Sequence, residues 1–174
     1  MEKQTTKMQI FYNNIKNTFL SQLQYTKELI QIADEKTQAI RDNDVSRIMQ
    51  LTNREEDCAR NIITLEKNRD SYIKDFEKKE NTKIENLSDV LDKFSPKSGE
   101  ELNHIATDLK ENLETLKNKN DVNKTLMSFI LEQIEIANNL IKGDRVPNTY
   151  ENTKFSKKSY NNTAVDGSYF DSKY

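Results

Sequence analysis

From Met8 to Ile40, apolar or small residues recur at alternating steps of three and four: Met8, Tyr12, Ile15, Phe19, Leu23, Thr26, Ile30, Ala33, Thr37 and Ile40. The mean step is about 3.56, an α-helical stripe close to the coiled-coil period. Neither Gly nor Pro interrupts the segment from about Thr5 to Arg41. At a rise of ~1.5 Å per residue such a helix is roughly 55 Å long, too long for a compact globule. An extended hairpin or bundle is implied. The rest of the chain agrees, because 174 residues hold only three Gly and two Pro, too few for the turns of a strand-rich fold.

Arg41-Asp42-Asn43-Asp44 reads as a polar turn, with Asp44 the N-cap of a second helix from Val45 to about Lys79. Its stripe is Val45, Ile48, Leu51, Ala59, Ile62, Leu65, Tyr72 or Ile73, and Phe76, with Glu55 and Arg69 also at stripe positions. A short connection makes the two long helices antiparallel neighbours. Thr82 with Glu85 reads as a capping box for a short third helix carrying Ile84, Leu87, Val90, Leu91 and Phe94. Ser98 with Glu101 reads as a second capping box, opening a last helix from about Gly99 to Lys142 with Gly143 as its C-cap. The last stripe is Leu102, Ile105, Leu109, Leu113, Leu116, Asn120, Asn123, Met127, Ile130, Ile134, Ala137 and Ile141. Asn120 and Asn123 stand mid-stripe, where polar residues fix register at some cost in stability.

The predicted fold is therefore all-α. It is an elongated antiparallel helical hairpin or coiled-coil bundle of three long helices plus one short helix, spanning 1–143. A polar tail follows over 144–174 and is expected to be flexible. That tail nevertheless carries six of the fourteen aromatic residues, Tyr150, Phe155, Tyr160, Tyr169, Phe170 and Tyr174. Such a content points to docking, on this protein or on a partner.

Scarcities exclude much chemistry. One Cys, Cys58, allows neither an internal disulfide nor a zinc knuckle. It reads as a small semi-buried residue rather than a nucleophile. One His, His104, leaves little for a triad or a multi-His metal site. Glu101 and His104 have the E-x-x-H spacing of di-iron bundles, but those need two such motifs and two further carboxylates. The sequence after His104 does not match an H-x-x-K-G phosphotransfer pattern. Three scattered glycines make no phosphate loop. No enzyme activity, cofactor or metal is expected. A net charge of −2, with both signs well mixed, gives no footprint for nucleic acid. No run approaches the ~20 apolar residues of a membrane span, and the first residues lack the apolar core of a signal peptide. A soluble cytoplasmic protein, with no membrane insertion, is the expectation.

The last helix changes character along its length. From Leu102 to Leu116 the apolar arc is roughly 100° wide, enough to pack against one hairpin. From Leu126 to Ile141 it widens to nearly 180°. Leu126, Phe129, Ile136 and Leu140 form a second stripe beside the core stripe. Two readings stand side by side. Either the short third helix or a dimer mate covers it, or it receives an amphipathic helix from a partner.

With these features in place, residues 10 to 150 resemble the FlgN family of flagellar export chaperones. The resemblance lies in the order and spacing of several segments. They are the turn Asn43-Asp44-Val45, the charged Lys67-Asn68-Arg69-Asp70, the short helix with Leu87, Val90 and Leu91, and Leu116 to Ile141, where Asn120 and Asn123 precede Leu126. Tyr150 is similar to a tyrosine that often follows the last helix in the family. The long Asn- and Tyr-rich tail departs from the pattern. The resemblance implies a cytoplasmic, non-enzymatic chaperone of flagellar type III secretion. Its clients would be the hook-associated proteins of the hook–filament junction, whose C-terminal helices it masks and delivers to the export gate and ATPase complex. On that basis Leu126, Phe129, Ile136 and Leu140 are candidate client contacts, and Tyr150 a candidate gate contact. The rival readings are a homodimeric coiled-coil structural protein and another helical adaptor of the same secretion system.

Overall fold

The computed structural model describes the backbone of residues 2–142 and the side chains of residues 7–142. Among them are four helices and no strand: α1 (Glu2–Arg41), α2 (Val45–Glu80), α3 (Leu87–Leu91) and α4 (Pro96–Lys142). The all-α fold of three long helices and one short one is as the sequence predicts. The described residues fall into two units, one ending at Met127 and one beginning at Ser128.

In the first unit α1 and α2 form an antiparallel pair. Their turn is closed by Asn43, which adopts the left-handed conformation at φ 54°. Asp44 N–H donates to Ala39 O at 2.9 Å and Asn43 N–H to Ile40 O at 3.1 Å, the two bonds of a Schellman motif. Asp44 then caps α2, its carboxylate accepting from Arg47 N–H at 2.9 Å. One residue after another thus ends one helix and starts the next. Asn81 repeats the device after α2, at φ 48°, with Thr82 N–H reaching Glu77 O at 3.2 Å.

Two capping boxes expected from the sequence do not form. Asn86, not Thr82, caps α3, in a box with Asp89. Its reciprocal partner lies three residues on, as the motif requires. Helix α4 starts at Pro96 rather than Gly99. Proline at the first helical position sacrifices only an N–H that has no intrahelical partner there. Ser95 Oγ accepts weakly from Ser98 N–H at 3.4 Å. Glu101, released from capping, accepts instead from Tyr12 at 2.5 Å and Lys16 at 2.6 Å on α1.

These contacts set the direction of α4. Glu101 meets Tyr12, Lys119 pairs with Asp34 at 2.5 Å, and Asn123 bonds Ala33 and Thr37. As numbering rises along α1 it rises along α4, so α4 runs parallel to α1 and α2 antiparallel to both. Serving two neighbours, α1 buries a wide face. Beside the expected Tyr12, Ile15, Phe19, Leu23, Ala33 and Ile40 it also buries Phe11, Ile32 and Ala39.

The apolar interior forms two clusters. One holds Phe11, Tyr12, Ile15, Phe19, Phe76, Val90 and Leu102. Phe11 stacks on Phe76 with centroids 4.1 Å apart, and Phe94 of the α3–α4 connection sits edge-on to Tyr12 at 5.1 Å. The other holds Ile32, Ala39, Leu51 and Cys58. On α2 the buried residue is Cys58, while Ala59 is exposed. The stripe steps Leu51, Glu55, Cys58, Ile62, and Glu55 stays on it by pairing with Lys36.

Candidate functional site

The sequence-predicted client contacts lie on α4 and fall on either side of the unit boundary. Leu126 belongs to the first unit and is half-buried. Phe129, Ile136 and Leu140 belong to the second. Phe129 is 58% exposed and Leu140 63% exposed, and Ile136 is half-buried. Tyr150 lies outside the described residues, as does the whole stretch 143–174.

One expectation for this stretch fails. The helical period places Ile134, Ala137 and Ile141 on a continuous core stripe. All three are exposed, Ile141 by 84%. The pairing register of the first unit explains where the stripe stops being core. Thr37 and Asn123 are 86 residues apart, an offset that brings Arg41, the last residue of α1, level with Met127. Periodicity alone does not reveal where the partner helix runs out.

Ser128–Lys142 is thus a helical segment without a single buried residue among those described. Its apolar residues are Phe129, Ile130, Leu131, Ile134, Ile136, Ala137, Leu140 and Ile141. At ~100° per residue all but Leu131 fall within an arc of about 160°. Glu132, Glu135, Asn138 and Lys142 lie on the other side. An arc of that width is an amphipathic surface suited to receive an apolar helix face by ridges into grooves. Leu131, Ile134 and Ile141 are therefore missed by the sequence reading as surface residues, although their hydrophobicity was visible.

The polar groups with perturbed protonation lie elsewhere. Burial, with help from Glu101, pushes the Tyr12 phenol up to about 12. The bonds from Lys16 and Tyr12 hold the Glu101 carboxyl below its ordinary value. Burial, then the nearby Glu28, raises the Cys58 thiol, so it is a poor nucleophile at neutral pH. His104 is exposed, 3.8 Å from Asp108. Glu101 of the E-x-x-H spacing is committed to α1. Among the described residues no group of three or more His, Cys, Asp and Glu is placed to hold a metal ion. No helix among them is long and apolar enough to cross a membrane.

A family model described as FlgN protein matches residues 8–156 of this chain. No curated protein and no solved structure matches it.

Proposed function

The chain belongs to the FlgN family and is a flagellar export chaperone, and from that premise we propose that it masks the C-terminal helices of hook-associated proteins. The exposed apolar arc of Ser128–Lys142 supports this reading. A client helix held for export must hide the apolar face that would otherwise drive its polymerisation. An amphipathic helix whose apolar arc is uncovered among the described residues offers a matching face. In this account Phe129, Ile136 and Leu140 contact the client, joined by Ile130, Ile134 and Ile141. Leu126 is a further contact. Chaperoning of this kind needs no catalysis, and the protein acts in the cytoplasm.

Magnitudes limit how the site works. Each large apolar side chain contributes ~1.5–3 kcal/mol on burial, so the six named residues of the segment give roughly 9–18 kcal/mol gross. Association itself costs ~4–15 kcal/mol. Binding therefore depends on most of the arc being covered at once, and removal of two central anchors abolishes it. Delivery to the export gate falls to the residues after α4, with Tyr150 as the gate contact.

Calorimetric titration with the C-terminal helical segment of each hook–filament junction protein from the same organism tests the reading. Saturable binding at micromolar or tighter Kd, with a negative heat-capacity change, is expected. Absence of binding by the folded chain to either segment overturns it. A chain that is instead dimeric by light scattering, and monomeric after Phe129→Asp with Leu140→Asp, would reassign the arc to a homodimer seam.

A further inference from the structure

The exposed apolar arc of Ser128–Lys142 is followed directly by residues 143–174. Their composition is unlike that of the helices. They hold six of the fourteen aromatic residues but no Leu, Ile or Met. Such a segment has too little apolar surface to build a core of its own. Its rings gain by burial only against a surface that already exists. The arc is that surface next to them in the chain, with Phe129, Ile134, Leu140 and Ile141 all exposed.

Length selects the rings that reach it. From Lys142 back to Phe129 the helix runs ~20 Å. A chain of irregular conformation spans ~5–6 Å times the square root of its residue count. From Lys142 to Phe155 that is roughly 20 Å, and to Tyr160 roughly 23 Å. Tyr169, Phe170 and Tyr174 overshoot at roughly 30 Å. A tether's effective concentration is greatest where its span matches the distance to be bridged, which favours Phe155 and Tyr160. Gly143 and Pro147 open the stretch, residues that favour a reversal over further helix. Charge agrees. From Asn152 to Val165 the charged residues are Lys154, Lys157 and Lys158, while exposed Glu132 borders the Ile136 edge of the arc. At the ~1 mM that a short tether supplies, a contact that separate molecules would make with a Kd near 0.1 mM is about nine-tenths filled. A second copy of the chain lacks that advantage.

We propose that the stretch from Asn152 to Tyr160 folds back along α4 and seats Phe155 and Tyr160 on the apolar arc between Phe129 and Ile141, so that the chain covers its own exposed face until a partner helix displaces it. Displacement by a client rests on the function proposed above. The docking of the stretch does not. The apparent affinity for a client is then reduced by the fraction of time that the arc is free.

The chain contains no Trp, so Phe155→Trp and, separately, Tyr160→Trp place a single fluorescent reporter in the full chain. Each should emit at shorter wavelength than the same variant in denaturant. Added Phe129→Asp with Leu140→Asp should return the emission to the denatured wavelength while circular dichroism stays helical. Ile141→Asp, at the most exposed of these positions, should give part of that return and serves where the double substitution costs helicity. Emission at the denatured wavelength in both reporters, or a blue shift that the arc substitutions leave unchanged, would overturn the proposal. The shift should survive dilution, since the contact is within one chain. Its loss on dilution would give the arc to a second copy and refute the inference. In calorimetric titration, Phe155→Ser with Tyr160→Ser should tighten binding of the client segment at least threefold. Unaltered affinity beside a blue-shifted reporter would refute the competition. If neither the wild-type chain nor the serine variant binds a segment, the client reading falls, while the reporters still decide for or against docking.

Discussion

The side-chain amide of Asn123 donates to the carbonyl of Ala33, 90 residues earlier, at 2.8 Å. That carbonyl is inside α1, one turn before Thr37, whose hydroxyl lies 2.9 Å from it and has a single hydrogen to give to it or to Asn123 Oδ1 at 2.6 Å. A side chain that bonds the backbone of a neighbouring helix specifies both depth and register. A leucine there could slide by a turn, whereas the amide finds its partners at one level only. Asn123→Ala should cost about 1–3 kcal/mol of stability, and urea unfolding followed by circular dichroism would measure it. A change below about 0.3 kcal/mol would mean that the amide is equally well served by water.

The two ends of α4 should respond oppositely to truncation. Leu102 is fully buried, so Leu102→Ala should cost about 2–5 kcal/mol. Phe129→Ala should leave the midpoint of unfolding unchanged. Phe129→Asp with Leu140→Asp should keep full helicity and lose client binding. Unfolding of that double variant would show the arc to be structural.

The turn offers a backbone test. Asn43 sits at φ 54°, which glycine adopts without steric cost and β-branched residues resist. Asn43→Gly should be neutral within a few tenths of a kcal/mol and Asn43→Val should destabilise by about 1–2 kcal/mol. Equal stability of the two, by thermal melts, would contradict the Schellman geometry.

Two linked groups give opposite pH limits. Glu101 titrates below its ordinary 4.5 because Lys16 and Tyr12 donate to it. Its contribution is full above pH 4.5 and is lost as pH falls through the lower folded value. The Tyr12 phenol is raised from 10.0 to about 12, chiefly by burial. Its contribution is full below pH 10 and is lost as pH rises toward 12. Tyr12→Phe should flatten the alkaline loss and remove a phenol that titrates at about 12 from an absorbance titration. An unchanged titration curve would place Tyr12 in water.

Cys58 is buried and free, with its thiol raised by burial. At pH 7.5 it should react with a thiol reagent at least a hundredfold more slowly than in denaturant. Rapid native labelling would mean that α1 and α2 part readily.

Most of the fold was legible because helix period and turn chemistry are local. The stripe from Tyr12 to Ile40, the Asp44 cap and the extents of α1 and α2 all follow from residues within a few positions of each other. Asn123 was legible as a register device, but Asn120, at a similar stripe position, is exposed. Only the bonds to Ala33 and Thr37 distinguish them. Glu101 shows the complementary failure. Its spacing from Ser98 matched a cap, yet two donors on a distant helix compete for it and win. The exposure of Ile134 and Ile141 was illegible for a related reason, since the length of the partner helix is a property of α1, not of α4.

The parallel course of α1 and α4 also orders events during synthesis. Ion pairs between α1 and α2 join residues 12 to 26 apart, whereas those between α1 and α4 join residues 85 apart. Closing the shorter loops is faster, and the hairpin core of Ile32, Ala39, Leu51 and Cys58 needs nothing made after residue 58. A growing chain can therefore complete that hairpin on the ribosome and hold Ala33 and Thr37 bare until Asn123 emerges.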